Sequence, residues 1–363
     1  MSGTSMDGID AAVLRTDGLR TGETLHTLHV PYDDDLRGLL RAALREARAL
    51  TERAARPGVL KEAEAALTEA HIAVVEKLRA DHDGDIDLIG FHGHTVLHRP
   101  EERLTVQIGD ARALAAATGI DVMHDLRAND VAHGGQGAPL TPAWHRLLAD
   151  RAPARPVVFV NIGGVANLTH VGGQGELMAF DTGPGNALID DFMRARTGEP
   201  FDEDGRMALS GAVDERALRR LQAHPFFHAR PPKSLDRNAF DISAVEHLST
   251  EDGAATLTAF TVCSITHAAE WLPQPPQWWI VTGGGRRNRA IMTWLAEKVE
   301  APVAPAEALQ CDGDMMEAEA WAYLAVRAVK GLLISWPQTT GAPEPLSGGV
   351  LVRAEEAREY PGK

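Results

Sequence analysis

Phe180-Asp181-Thr182-Gly183-Pro184-Gly185-Asn186 sets an acidic residue at the end of an apolar strand and follows it with a glycine turn and a helix. Leu177 to Phe180 is short and apolar, fit for a buried strand, and Ala187 to Arg196 has helical spacing. Backbone N–H groups in such a turn, at the positive end of the next helix, form a cradle for an anion. A carboxylate beside that cradle repels anions unless a cation intervenes or the carboxylate is itself a base, and the combination points to phosphoryl transfer. Taken alone, the segment reads equally as a tight βα turn with an Asp cap.

Two further turns repeat the pattern. Met1-Ser2-Gly3-Thr4-Ser5-Met6-Asp7-Gly8-Ile9-Asp10 leads into apolar Ala11 to Leu14, and Trp278 to Val281 runs into Thr282-Gly283-Gly284-Gly285-Arg286-Arg287-Asn288. Adjacent glycines let a backbone approach a flat or charged ligand closely, which side chains would forbid. No Gly-Lys-Ser/Thr follows at P-loop spacing, and no G-x-G-x-x-G lies between a strand and a helix, so neither of those nucleotide sites is expected.

Composition sets the frame. The 363 residues can hold two domains, and 51 acidic against 36 basic residues give a net charge of −15, which argues against a nucleic-acid partner. An acidic protein that binds an anionic nucleotide must concentrate its positive groups locally and recruit Mg²⁺. Cys263 and Cys311 have no metal spacing and imply no disulfide scaffold. The polar, glycine-rich start and the lack of any apolar run of about 18 residues predict a cytoplasmic protein with no membrane partner.

Along the chain, strands are expected at 9–15, 24–30, 87–91, 104–108 and 121–124, with helices at 36–55 and 60–80 divided by Arg56-Pro57-Gly58 and another begun by Asp110. The second half offers strands at 157–162, 166–171 and 176–180, then helices at 187–196 and 254–271. A strand at 278–281 and helices at 287–299 and 315–333 complete it. Two meanders, each followed by crossover helices, predict a duplicated α/β fold with a central cleft between its halves. The domains are expected at 1–130, closed by part of the C-terminal helix, and 131–363.

The chain resembles the anhydro-N-acetylmuramic acid kinase family of the actin/hexokinase/Hsp70 superfamily. The matching pieces are the Met1–Asp10 stretch, Gly93-His94-Thr95-Val96, Asp125-Leu-Arg127-Ala-Asn-Asp130, Gly134-Gly-Gln-Gly-Ala-Pro139 and Asn161-Ile-Gly-Gly-Val-Ala-Asn167. Phe180–Asn186, Thr282–Gly285, Met316-Glu-Ala318 and Pro337-Gln-Thr-Thr-Gly-Ala342 complete the set in family order.

The resemblance implies a two-domain, ribonuclease-H-like duplicated fold and one coupled, ATP-dependent reaction in cell-wall recycling. Water opens the 1,6-anhydro bridge of anhydro-N-acetylmuramic acid at C1 while O6 takes the γ-phosphoryl group, giving N-acetylmuramic acid 6-phosphate. Asp181 is then the general base. Gly3, Thr4, Ser5, Met6, Asp7, Gly8, Ile9 and Asp10 correspond to the family's ATP-phosphate segment, with Asp7 an Mg²⁺ partner through water. Gly163, Gly164, Asn167 and Gly183 are further ATP positions, and Gly283, Gly284 and Gly285 pass under the nucleoside. His94, Arg127, Asn129, Asp130 and Glu317 are the implied sugar contacts, with Arg127 suited to the lactyl carboxylate. The family also implies a homodimer.

The chain departs from the family at several points. It begins inside the first motif, without the strand that precedes Met-Ser-Gly-Thr-Ser in the family, which implies an upstream start or a shortened first strand. His94 stands where Gln is usual, and Lys233-Ser-Leu-Asp-Arg-Asn238 replaces Lys-Ser-Thr-Gly-Arg-Glu, which bears on contacts from Arg237 and Asn238. Arg286 follows the triple glycine, where it can stack on adenine.

Plainer roles compete with several of these. His92, His94 and His98 lack a fourth ligand, so packing or a substrate hydrogen bond is favoured over a metal site. Asp125 and Asp130 can cap turns, Glu317 suits a helix N-terminus, and Trp271, Trp278 and Trp279 need no ligand to be buried. Another sugar or acetate kinase would share the phosphate turns without Asp-Leu-Arg-Ala-Asn-Asp. A nucleotide-switched chaperone- or actin-like protein would need a peptide-binding domain or a polymer interface.

Overall fold

The structure, a computed structural model, describes residues 1–3, 6–235 and 239–359. The chain divides into two compact units, Met1–Leu147 with Met315–Lys363, and Leu148–Asp314. The first opens with β1 (Gly8–Thr16), β2 (Gly22–Pro31), α1 (Asp34–Glu46), α2 (Val59–Asp81), β3 (Leu88–Phe91), β4 (His94–Arg99) and β5 (Leu104–Ile108). It continues with α3 (Ala111–Thr118), β6 (Asp121–His124), α4 (Ala128–Ala132) and α5 (Pro142–Leu148). The second holds β7 (Val157–Ile162), β8 (Val165–Val171), β9 (Leu177–Pro184), α6 (Ala187–Thr197), α7 (Arg206–Ser210) and α8 (Glu215–Gln222). It is completed by α9 (Thr250–Ala268), β10 (Trp278–Thr282), α10 (Arg289–Lys298) and β11 (Val303–Pro305). The chain then returns to the first unit with α11 (Met316–Val329), α12 (Pro337–Thr340), β12 (Val350–Val352) and α13 (Ala354–Glu359).

The second unit carries a complete ribonuclease-H-like sheet in the order β9-β8-β7-β10-β11. Strands β7, β8 and β9 form an antiparallel meander, while β10 runs parallel to β7 and β11 parallel to β10. Strand β7 is flanked on both edges, which suits the near-continuous apolar run Val-Val-Phe-Val-Asn-Ile. Helix α9 is buried nearly all round and packs on β9. Its small polar residues are tolerated there because Thr256 and Ser264 return their hydroxyls to carbonyls one turn back, at 2.7 and 2.8 Å.

The first unit repeats these parts in separate pieces. β1 and β2 make an antiparallel hairpin, β3 and β6 are parallel with β12 added antiparallel to β6, and β4 pairs, among the described residues, only with β5. Helix α3 begins where expected, because Asp110 accepts from Arg112 N and Ala113 N at 2.9 and 3.0 Å. Helix α1 ends at Glu46, short of the expected residue 55. Beyond it, Arg53 donates to Thr105 O at 3.1 Å and to the Asp125 carboxylate, and Arg56 donates to Gln107 O at 3.2 Å, so tertiary bonds override helix propensity.

The unit boundary falls at 147/148, not 130/131, and everything from Met315 belongs to the first unit. Packing gives the reason: Trp144 of α5 lies 5.2 Å from Tyr323 of α11, and Thr340 donates to the Asp130 carboxylate at 2.6 Å.

Candidate active site

In the second unit three glycine turns meet at one end of the sheet, beyond the carboxyl end of β7. A Cβ on Gly185 would strike Gly163 O, one on Gly283 would strike Asn161 Oδ1, and one on Gly285 would strike the Ile162 side chain. Gly284 is exposed, and a Cβ there would meet only Asn186 Nδ2, at 3.5 Å. Gly283 and Gly285 therefore serve packing, whereas Gly284 presents open backbone. The carboxyl ends of parallel strands are where open α/β sheets bind ligands.

The 183–186 turn differs from the open amide cradle its sequence suggests. Gly185 N and Ala187 N donate to Gly164 O at 2.9 and 3.2 Å, and Asn186 N donates to Gly163 O at 2.7 Å. Those amides are spent on fastening the turn to the β7–β8 hairpin. Helix α9 holds it from the other side: Thr261 Oγ1 donates to Gly185 O at 2.9 Å, and a Cβ on Gly183 would lie 2.7 Å from that of Ser264.

Asp181 sits on β9 opposite Asn167 of β8, next to a register shift between Ala166 and Asn167. Its amide donates to Lys233 O at 3.0 Å, and its Oδ2 accepts from Leu235 N at 2.7 Å. Among the described residues no donor reaches Oδ1. Loss of hydration pushes its carboxyl up to about 6, against the Leu235 hydrogen bond and the Lys233 charge. Lys233 donates to Phe226 O at 3.0 Å and lies over the Phe226 ring at 4.4 Å, and burial lowers its own pKa. The 233–235 segment thus holds Asp181 through backbone atoms, which the departures from the family's side chains leave intact. Arg237 and Asn238 lie outside the described residues.

Arg286 is not free to stack on a base. Its side chain is 6% exposed and donates to Glu307 Oε1, Asp314 Oδ1 and Gly283 O at 2.9, 2.7 and 3.0 Å. These carboxylates raise its pKa further. It braces the Gly283 carbonyl instead, a role the sequence leaves unmarked because its acidic partners lie more than 20 residues away.

In the first unit Thr4 and Ser5 lie outside the described residues. Around them, Met6 N donates to Gly3 O at 3.2 Å, Met6 has φ of 55°, Arg37 donates to Met6 O at 3.1 Å, and Asp7 is exposed. Gly8 and Ile9 already belong to β1. The Ile9 side chain is core, and a Cβ on Gly8 would strike Val30 O, so these two positions serve the strand. Asp10 pairs with His29 at 2.7 Å.

Ser2, unmarked in the sequence, joins this segment to the core. Its buried hydroxyl accepts from Tyr32 OH at 2.5 Å and lies 2.8 Å from His94 Nδ1. His94 is fully buried and held near 4 by desolvation, so it is a neutral support for Ser2 rather than an exposed sugar contact. His92 is neutral too, held down by burial and by Arg127. Its Nδ1 lies 3.1 and 2.8 Å from the carbonyls of Ser2 and Gly93 and donates, which leaves Nε2 to accept from Arg127 at 3.3 Å.

Arg127 also donates to Gly137 O at 2.9 Å and stacks over Trp321 at 4.7 Å, and burial lowers its pKa to about 10. Glu317 stands one helical turn before Trp321 on α11. Solvent reaches it, yet dense surroundings raise its pKa against the pull of Arg127. Asn129 donates to Ser347 O at 2.7 Å.

Asp130 is 1% exposed, and both oxygens are taken, by Gly137 N at 2.7 Å and Thr340 Oγ1 at 2.6 Å. It ties the 134–139 loop to α12, a structural duty where a sugar contact is implied. Asp130→Ala removes the acceptor that two buried donors share, leaving Gly137 N without its partner, and is expected to cost about 2–4 kcal/mol of stability. Urea unfolding of the variant checks this.

The family model of anhydro-N-acetylmuramic acid kinase matches residues 1–354. The chain belongs to the anhydro-N-acetylmuramic acid kinase family. The enzyme of that name from Nitrobacter winogradskyi is 54% identical over 358 residues, 97% of this chain and 98% of the relative. That from Agrobacterium fabrum is 52% identical over 363 residues, 98% and 97% of the two chains. Among solved structures, a ROK family glucokinase from Streptomyces griseus aligns with a TM-score of 0.38 and 15% identity, over 88% of this chain and 96% of that one. Of the positions expected from the sequence, Gly163, Gly164, Asn167, Asp181, Gly183 and Gly283–Gly285 share the second unit. Gly3 to Asp10, His94, Arg127, Asn129, Asp130 and Glu317 share the first. Among the described residues no group of three or more His, Cys, Asp or Glu could hold a metal ion, and no helix is long and apolar enough to cross a membrane.

Proposed function

We propose that Asp181 activates the water that opens the 1,6-anhydro ring of anhydro-N-acetylmuramic acid in the reaction of this ATP-dependent kinase family. The water oxygen bonds to C1 as Asp181 takes its proton, the C1–O6 bond breaks, and O6 receives the γ-phosphoryl group of ATP. ADP and N-acetylmuramic acid 6-phosphate are the products. One observation carries the assignment: a carboxylate raised to about 6, with no donor to Oδ1 among the described residues, stands in the same unit as the glycine cradle.

The cradle's part is positioning. Open backbone at Gly284 lets a nucleoside lie close, and the Arg286 bridge to Glu307 and Asp314 keeps the turn from yielding. Arg127, charged and preset by His92 and Trp321, retains guanidinium donors for a lactyl carboxylate. Asp7 would meet Mg²⁺ through water, and that ion supplies charge neutralisation on the phosphates.

Incubation with ATP, Mg²⁺ and the anhydro sugar, with detection of the 6-phosphate by mass spectrometry, tests the reaction. The pH dependence tests the base. Asp181 must be ionised to act, so kcat/KM for the sugar is expected to fall tenfold per pH unit below about 6. An acid limb centred near 4, the range of an ordinary carboxylate, would remove Asp181 from that role.

A further inference from the structure

Asp181 is held from outside its own sheet. Among the described residues, two hydrogen bonds fasten the chain beyond Pro232 to β9, the edge strand, and both end on Asp181. Its N donates to Lys233 O at 3.0 Å, and its Oδ2 accepts from Leu235 N at 2.7 Å. A two-point grip fixes a carboxylate only if the peptide that makes it is itself fixed. The backbone around it supplies little of that: Pro231 and Pro232 have no N–H to give, and Ser234 is exposed.

The Lys233 side chain supplies the anchor. Its ammonium donates to Phe226 O at 3.0 Å and lies 4.4 Å from the centre of the Phe226 ring and 6.0 Å from that of Trp271. Both rings pack on the apolar core of the second unit. Phe226 stands edge-on to Phe227 at 5.5 Å, and Phe227 to Phe260 of α9 at 5.7 Å. Phe227 also borders the turn after Asp181, since a Cβ on Gly183 would come within 3.2 Å of its ring. One aromatic wall therefore braces Asp181 twice, through Gly183 two residues on and through Lys233 at the strand edge. A purely apolar side chain could fill the same space without losing hydration, so the ammonium has a further use. Few other charges stand near: Asn167 opposite on β8 is neutral, and the His267–Glu270 pair at 3.3 Å lies beside Phe227. Lys233 thus favours the ionised form of Asp181 against the loss of hydration.

We propose, resting on the reading of Asp181 as the base, that Lys233 is its positioning residue: the ammonium held by Phe226 and Trp271 fixes the 233–235 peptide against Asp181 and favours the ionised carboxylate. Lys233 acts through Asp181 and needs no contact with either substrate. Its loss should therefore show in turnover and in the pH dependence, and leave the binding of ATP and sugar in place.

Lys233→Met and Lys233→Arg, measured beside Asp181→Asn, provide the test. Methionine keeps an unbranched stem for the two rings and removes the charge and the bond to Phe226 O. It is expected to lower kcat about 10- to 100-fold, with both KM values within about twofold of the parent's. The acid limb of kcat/KM for the sugar should move up by about one pH unit, and hydrogen exchange at the Leu235 amide, followed by mass spectrometry, should quicken about threefold or more. Arginine keeps the charge and can stack on Phe226, so it should return the limb to the parent's pH and recover most of the lost turnover. A methionine variant with the parent's kcat and limb would overturn the proposal. So would equal losses in both variants accompanied by a rise in both KM values, the mark of a merely structural lysine. Asp181→Asn isolates the underlying reading. If it keeps its turnover, Asp181 is not the base and the proposal falls with it, even where Lys233→Met quickens exchange at Leu235. If it loses turnover while Lys233→Met behaves as the parent, only the role of the lysine falls.

Discussion

Asp181→Asn is expected to lose about 10²–10⁴-fold in kcat, ring opening and phosphorylation falling together because O6 is not free until the bridge breaks. Asn keeps the size of the side chain, and its carbonyl oxygen can still accept from Leu235 N. The variant should therefore fold and bind ATP and sugar with near-normal affinity, the pattern of a group needed only in the transition state. Stability should move the other way. The carboxyl is raised to about 6 from an ordinary value of 3.8, so the folded state holds the proton more tightly than the unfolded chain does. That contribution is complete below about 3.8 and is lost as pH rises through about 6, leaving an ionised, desolvated group at neutral pH. Asn carries no such charge, and the variant should melt no lower than the parent at pH 7.5 and higher if desolvation dominates. Retention of more than about a tenth of the turnover would move the base elsewhere, with Glu317 next to be tested.

Gly284→Val and Gly285→Val should separate binding from folding within one turn. At 284 a side chain enters open space, with Asn186 as its nearest neighbour, so the fold is expected to survive. A ligand lying against that backbone would collide with it, at a cost of about 1–3 kcal/mol, or about 5- to 150-fold in the Kd for ATP, with the sugar Kd unchanged. At 285 the new side chain drives into Ile162 at the end of β7, and about 1–3 kcal/mol of stability should go first. Calorimetry and thermal melting distinguish the two. An unaltered ATP affinity in Gly284→Val would take Gly283–Gly285 out of the nucleoside site.

Much of this architecture is local enough to be read along the chain. The β7–β9 meander, the Asp110 cap and the strand-to-helix passage at Phe180–Asn186 each follow from residues a few positions apart. The β4–β5 hairpin escaped that reading because His94–Arg99 is polar at both ends and takes its pairing from a partner strand ten residues on. Polar residues were the hardest to place. Asp130 and His94 have the chemistry of ligands, and only their distant partners, Thr340 for one and Ser2 for the other, give them structural work.

Sequence by itself determined the α/β class and the positions of the glycine turns, since apolar periodicity and turn chemistry act over short range. The family rested on a resemblance carried by the ordered set of motifs from Met1–Asp10 to Pro337–Ala342. Tertiary structure alone decided which glycines are forced by packing and which leaves room, because that depends on how close β7 comes to each turn. It also decided that the 185–187 amides bind the β7–β8 hairpin, and that Arg286 braces a carbonyl instead of facing a base. It set the ionisation of Asp181 as well. A carboxylate's pKa follows from the water it loses and the donors it gains, and those came from a segment more than 50 residues away.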